Sequence, residues 1–168
     1  LTELPSTFDD RDDDAQTLVI TLVDAVTNLT LALNYAVFPH QDVIVRSAQF
    51  TNQGQQTVML NRALSLELDL PDANYDLLQF SGSWARERHL IRQPLRSGIQ
   101  SVGSLRGASS HQQNPFIALA RPDTNEDQGA ALGFNLVYSG NFLDQVEVDA
   151  FGTARVLTGI NPTEFGWQ

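Results

Sequence analysis

The residues best suited to chemistry in this 168-residue chain sit in the run "SGSWARERHLIRQPLRSGIQSVGSLRGASSHQQNPFIALAR", Ser81 to Arg121. The run carries six arginines, two histidines and a tryptophan but one acid, Glu87, in a chain of net charge −10. Read as a strand, "SGSWARERH" puts Ser83, Ala85 and Glu87 on one face and Trp84, Arg86 and Arg88 on the other. That second face sets an indole beside two guanidinium groups. It could serve as a ligand platform, the indole covering the apolar face of a sugar ring while Arg, His and Asn donors take its hydroxyls. Trp and Arg also dominate protein–protein hot spots, and a core tryptophan flanked by structural ion pairs has the same composition. The residues alone leave all three roles open.

Other candidates carry less. "DDRDDD", Asp9 to Asp14, offers alternate aspartates at calcium-loop spacing, but Ala15 stands where the loop needs glycine and Thr21 where it needs a bidentate acid. A solvated charged turn is expected there. His40, His89 and His111 lack the helical spacing of a metal site. Asn28, Leu29 and Thr30 match a glycosylation sequon inside a strand-like run, and the site is expected to stay unmodified. Nucleophile elbows, Walker loops and dinucleotide fingerprints are missing, and nothing singles out a catalytic pair among the twenty acids. No cofactor, no metal and no catalytic residue is therefore assigned.

Composition narrows the partners. Every one of the ten cationic side chains is arginine, whose planar fork suits carboxylates, hydroxyl clusters and interfaces. Acids outnumber arginines two to one, so nucleic acid and anionic membranes are set aside as partners. The chain has no cysteine, which removes thiolate catalysis and thiolate-bound metals and fits a reducing compartment; the expected location is cytoplasmic. No membrane span or signal peptide is read from the sequence. Because the chain starts at Leu1 and stops at "INPTEFGWQ", it is expected to be a piece of a longer polypeptide.

The elements that must position these residues follow from apolar alternation with period two. Leu18, Ile20 and Leu22 alternate in "TLVITLVD", and Leu29, Leu31, Leu33, Tyr35 and Val37 alternate in "LTLALNYAVF". "DVIVRSAQF", "TVMLNRALSLELDL", "AALGFNLVYSG", "NFLDQVEVDAF" and "TARVLTGI" read the same way, with turn residues between them. About ten strands at this spacing predict an all-β fold, an antiparallel two-sheet sandwich. Its length suits one domain over residues 1–168, burying roughly two-thirds of the unfolded surface. Residues 94–115 alternate poorly and are rich in Ser, Gly, Gln and Arg, which predicts a long functional loop.

Four motifs in order, "SGSWARERH", "SLRGASSHQQNPFIALARP", "LVYSGNFLDQVEVDAFG" and "GINPTEFGW", resemble the N-terminal β-sandwich domain of microbial α-galactosidases of glycoside hydrolase family 36. The resemblance spans nearly the whole chain, from "LPSTF" to "EFGW", with Ser83 where alanine is usual and Gln113 where a second histidine is usual. It implies a supersandwich of the galactose-mutarotase-like type, followed in the parent chain by a catalytic (β/α)8 barrel. It implies hydrolysis of terminal α-galactosides such as melibiose and raffinose with retention, by two barrel aspartates about 5 Å apart. It further implies a homotetramer in which this segment supports assembly and the active-site rim. Trp84, Arg86 and Arg88 would then shape the leaving-group subsite, with His111 and Asn114 beside them. A stand-alone carbohydrate-binding module and a purely structural assembly domain are the rival classes.

Overall fold

The computed structural model describes residues 15–163. The acidic run at Asp9 to Asp14 and the end of "GINPTEFGW" lie outside those residues. Eleven strands form three antiparallel sheets. The chain divides into two compact units, and the described strands split between them as three and eight.

The first unit is a meander of β1 (Gln16–Asp24), β2 (Leu29–Phe38) and β3 (Val43–Asn52). Its first turn is built by Asp24, whose carboxylate accepts the Val26 amide and the Thr27 hydroxyl. Asn28 closes that turn at φ 56, so the sequon asparagine is a turn residue rather than a strand residue. Gly54 is required nearby, because a Cβ there would strike the Thr27 carbonyl oxygen.

The second unit is a sandwich of two four-stranded sheets. One sheet is ordered β4 (Leu66–Leu70), β11 (Ala154–Ile160), β10 (Phe142–Val148), β7 (Gly98–Gly103). The other is ordered β6 (Arg86–Pro94), β5 (Asp76–Ser83), β8 (Gln113–Ala120), β9 (Ala131–Asn135). Strand β10 shows the logic: Phe142, Val146 and Val148 are buried while Leu143, Gln145 and Glu147 are less so, the alternation read from the sequence. They join Val102, Val156, Leu77, Ile117, Leu119 and Phe134 in one core drawn from both sheets.

Two of the expected segment boundaries differ from the structure. Residues 94–115 are not one loop, since Gly98–Gly103 pairs with β10 as an edge strand and β8 starts at Gln113. The strand escaped notice because its core-facing set, Gly98, Gln100 and Val102, holds a single large apolar side chain. Conversely, "TVMLNRALSLELDL" contributes strand only at Leu66–Leu70.

Two arginines of the cationic run turn out to be structural. Arg92 donates from Nε to Asp76 Oδ2 at 2.6 Å and from its terminal nitrogens to the carbonyls of Thr124, Arg121 and Pro122. It clamps the loop joining β8 to β9. Arg121 forms a bidentate pair with Asp72 and lies 3.9 Å over the Tyr75 ring. Their carboxylate partners lie outside the run, which explains part of its lack of acids. Arg92→Met should cost roughly 2 kcal/mol, given that hydrogen bonds to charged groups contribute more than neutral ones. Amide exchange mass spectrometry should show the 121–130 loop exchanging faster.

Asp144 breaks the apolar pattern of β10. It is 1% exposed, and burial pushes its carboxyl up to about 7. The Thr158 hydroxyl across the ladder pulls the other way without completing a hydrogen bond. A raised folded-state value means the folded chain keeps a proton that the unfolded chain releases. Stability should therefore fall as pH rises from about 4 to about 7 and stay at its lower level above that. The lowered carboxyls of Asp24, Asp69, Asp72, Glu87 and Asp149 act oppositely, losing their contribution as pH falls below about 4. Thermal melts at about pH 5 and about pH 8 should show the higher midpoint at the lower pH, and Asp144→Asn should flatten the difference.

Candidate functional site

The site is built around the β5–β6 hairpin. Ser83 pairs with Arg86, so the chain reverses at Trp84 and Ala85. The continuous strand face expected for Trp84, Arg86 and Arg88 is therefore not formed. Two backbone features cause this. Ala85 adopts φ 62 in the turn and Arg88 adopts φ 57 at a bulge, where three steps along β6 (Arg86 to His89) oppose two along β5 (Ser81 to Ser83). Period-two reading assumes a regular strand and misses both. Gly82 fits the bend, since a Cβ there would collide with the Arg86 carbonyl oxygen.

Glu87, which motif reading passed over, holds the tip. Its Oε1 accepts the Ala85 amide at 2.7 Å, fastening the turn that carries Trp84. Its own backbone N–H and that of Ala85 hold its carboxyl below the usual range, with His111 and His89 adding to the effect. Trp84 itself is 85% exposed at the hairpin tip, and Arg86 is exposed at the start of β6.

Behind the hairpin lies an open groove of about 520 Å³ lined by Glu87, Arg88, Ser109, Ser110, His111, Asn114 and Pro115. Three of the five expected residues, Arg88, His111 and Asn114, thus meet at one surface, while Trp84 and Arg86 stand on the adjoining hairpin. His111 sits in a tight turn closed by the Ser110–Gln113 bridge and the Ser110 hydroxyl. The hairpin is tied to this loop where Gly82 N donates to Gln112 O at 3.3 Å.

The loop, residues 104–112, is anchored by the "YSGNF" and "GINP" motifs. Asn141 Oδ1 accepts the Gly107 amide at 2.6 Å, and Ser139 O accepts the Ser109 amide at 2.9 Å. The Phe142 carbonyl accepts both the Ser104 amide at 3.0 Å and Asn161 Nδ2 at 3.2 Å. Sequence order hides this meeting of distant motifs. Among the described residues no group of three His, Asp or Glu side chains converges as a metal site would. The groove offers guanidinium, hydroxyl, imidazole, amide and carboxylate groups, which suit a polyhydroxylated ligand or a polar protein surface.

A second groove lies on the other sheet, lined by Asp69, Leu70, Pro71, Glu147, Asp149, Thr153 and Arg155. Its one guanidinium is already taken by Asp69 and Glu67, and Asp149 is engaged by Thr153.

Known proteins place this architecture. A family model described as the glycosyl hydrolase family 36 N-terminal domain matches residues 1–168. The chain is 51% identical to alpha-galactosidase AgaA of Geobacillus stearothermophilus over 167 residues, 99% of this chain and 23% of that protein. It is 44% identical to alpha-galactosidase Mel36A of Lactobacillus acidophilus, covering 98% of this chain and 22% of the relative. Among solved structures, an alpha-galactosidase from Lactobacillus brevis superposes with a TM-score of 0.93 at 70% identity, over 99% of this chain and 22% of that one. The AgaA crystal structure gives 0.94 over 99% of this chain and 23% of that one, and variants of that enzyme were solved in complex with stachyose and with raffinose. The chain spans less than a quarter of the length of these relatives. The chain belongs to the glycosyl hydrolase family 36 N-terminal domain family.

Proposed function

We propose that this chain is the accessory N-terminal domain of an α-galactosidase that removes terminal α-linked D-galactose from galacto-oligosaccharides such as melibiose and raffinose, with retention of configuration. The observation that carries this reading is the match of all 168 residues to one N-terminal domain whose named relatives are α-galactosidases. That AgaA variants bind raffinose and stachyose supports galacto-oligosaccharides as ligands of the parent. In a retaining enzyme one carboxylate attacks the anomeric carbon while a second protonates the leaving oxygen, about 5 Å away. Both would lie in a catalytic barrel beyond this segment, so no acid of this chain is given that task. Alone, the segment would be inactive.

The part assigned to this chain is the rim and the assembly. Trp84 would stack on the leaving-group sugar, while Arg86, Arg88, His111 and Asn114 donate to its hydroxyls. In this reading the parent is a cytoplasmic homotetramer, with residues 1–168 acting as one domain docked on its own barrel. The exposure of Trp84 also favours a second reading, a domain that binds galactosides without the barrel. Titrating melibiose into the isolated segment while following tryptophan fluorescence would reveal it.

The first experiment is release of nitrophenol from p-nitrophenyl α-galactoside by the complete parent, with the segment as control. Activity in the parent alone is expected. An inactive, folded parent would sink the assignment and bring the binding-module reading forward. In an active parent, Trp84→Ala should raise KM for raffinose about tenfold, the loss of about 1.4 kcal/mol of binding, with kcat little changed. Unchanged KM and kcat would move Trp84 to packing or assembly. Light scattering of an Arg86→Ala, Arg88→Ala double variant then reports whether oligomer size depends on these cations.

A further inference from the structure

One row of the first sandwich sheet is polar where it faces the core. Leu66 of β4, Thr158 of β11, Asp144 of β10 and Val102 of β7 pair in register across all four strands, within the second unit. Asp144 and Thr158 alternate in step with the core residues of their strands and are 1% and 3% exposed. Among the described residues, neither oxygen of the Asp144 carboxyl completes a hydrogen bond, and nor does the Thr158 hydroxyl.

The row also has a telling position. β10 begins at Phe142, β7 ends at Gly103 and β11 ends at Ile160, so Asp144 lies two residues from the sheet end that carries loop 104–112. At that end Ser104 N and Asn161 Nδ2 donate to the Phe142 carbonyl. Toward the other end the same face is apolar, with Val146, Val148, Val156 and Ala154 buried. An ionised carboxyl only accepts hydrogen bonds, and one hydroxyl faces it here; a neutral carboxyl has a proton that the Thr158 oxygen can take. A buried charge without donors needs water. The short route for that water runs through the sheet end, not through the apolar core.

No second titrating group shares the row. β7 and β8, the strands that flank and cover β10, hold no titratable side chain, and the Asp76 carboxylate of β5 is held by Arg92. Glu67, Asp69, Glu147 and Arg155 alternate to the outer face, where Arg155 joins Asp69 and Glu67. The adjoining loops bring Arg62 and Arg106, both exposed, and His111.

We propose that Asp144 is a proton-controlled latch on loop 104–112. Protonated, it keeps the sheet end closed and the loop carrying His111 ordered. Ionised, it draws water in beside Ser104, Phe142 and Asn161 and loosens that loop. The latch goes beyond the galactosidase reading and does not depend on it. Its sign follows from linkage. Burial holds the carboxyl up at about 7 in the closed form, and an opened, hydrated end lets it return toward its ordinary value of 3.8. The closed form therefore keeps a proton that the opened form releases. Opening grows as pH rises from about 4 to about 7 and levels off above that.

The test is amide exchange mass spectrometry on the complete parent at about pH 5 and about pH 8, each rate divided by the intrinsic rate at that pH. Protection of residues 104–112 should be at least about tenfold lower at pH 8, while residues 146–156, at the far end of β10 and β11, change less than about threefold. In Asp144→Asn, neutral at both pH values, the loop's protection should stay constant. Equal loop protection at the two pH values in the unsubstituted parent would overturn the proposal. An equal fall in residues 146–156 would overturn it too, since the whole sandwich would then be opening. So would an undiminished fall in Asp144→Asn, which would assign the response to another group. Should Asp144→Asn fail to fold, His111→Gln decides between the two nearby titrating side chains. A loop that still loosens at pH 8 in that variant supports Asp144, and a loop that no longer responds refutes it.

Discussion

The candidate site depends on one backbone atom more than on any side chain that lines it. The Phe142 carbonyl oxygen accepts from Ser104 N and from Asn161 Nδ2, joining the end of β7, the start of β10 and the end of β11 at a single point. Phe142 is at the same time fully buried in the sandwich core, so its carbonyl is held by packing on one side and by hydrogen bonds on the other. Asn141, one residue earlier, turns outward and fixes Gly107. The loop carrying His111 thus inherits the rigidity of the core through two adjacent residues. Gly103 belongs to the same node, since a Cβ there would come within 2.8 Å of that carbonyl oxygen. The cost of leaving buried backbone groups unpaired makes such a node cooperative: losing one donor exposes the next.

Four of the six arginines in the run from Ser81 to Arg121 divide into two pairs with different surroundings. Arg92 and Arg121 are consumed by carboxylates and carbonyls of the scaffold, with Asp76 and Asp72 supplying the negative charge from earlier in the chain. Arg86 and Arg88 remain exposed beside Glu87, the acid that the same stretch retains. A count of charges along the sequence merges these populations, because ion pairs join residues whose strands are neighbours in space rather than in order. Arg106 lies exposed in the loop behind the hairpin and Arg96 exposed between β6 and β7, so the cations left facing solvent are fewer than the run suggests.

Much of the fold was legible because its strands obey the simplest rule available to them. β10 alternates in burial, its buried set apolar apart from Asp144, and the alternate residues Leu29 to Val37 of β2 share one face of the ladder, although the sequence named no partner for either strand. What the alternation could not show was where regularity stops. A reversal with Ala85 and a bulge with Arg88, both at positive φ, use side chains that carry no turn signature, unlike glycine or asparagine. β7 was lost for the opposite reason, being a real strand with too few apolar residues to announce itself. Periodicity also could not divide the strands between a sandwich and a separate meander, since each strand's pattern is the same in either sheet. Three of the five site residues converge on the groove because Ser110 and Gln113 close a turn around His111, a contact with no spacing rule behind it.

The two positive-φ residues carry a further implication for how the tip works. An L-residue in the left-handed region costs roughly 1–2 kcal/mol, and such positions persist only when their surroundings overdetermine them. At Ala85 that role falls to Glu87, whose carboxyl is held below its usual range by these backbone hydrogen bonds and grips the amide of the strained residue itself. The grip is local, with no core packing behind it, and the indole it presents is almost entirely free. Trp84 is thus oriented by backbone chemistry rather than by neighbours. The backbone beneath the ring is ordered during folding, so a flat apolar partner would have only the indole's own rotamers to fix. An indole packed against neighbours would first have to be freed, so the hairpin tip and the regular strand face that the sequence suggested present the ring in physically different ways.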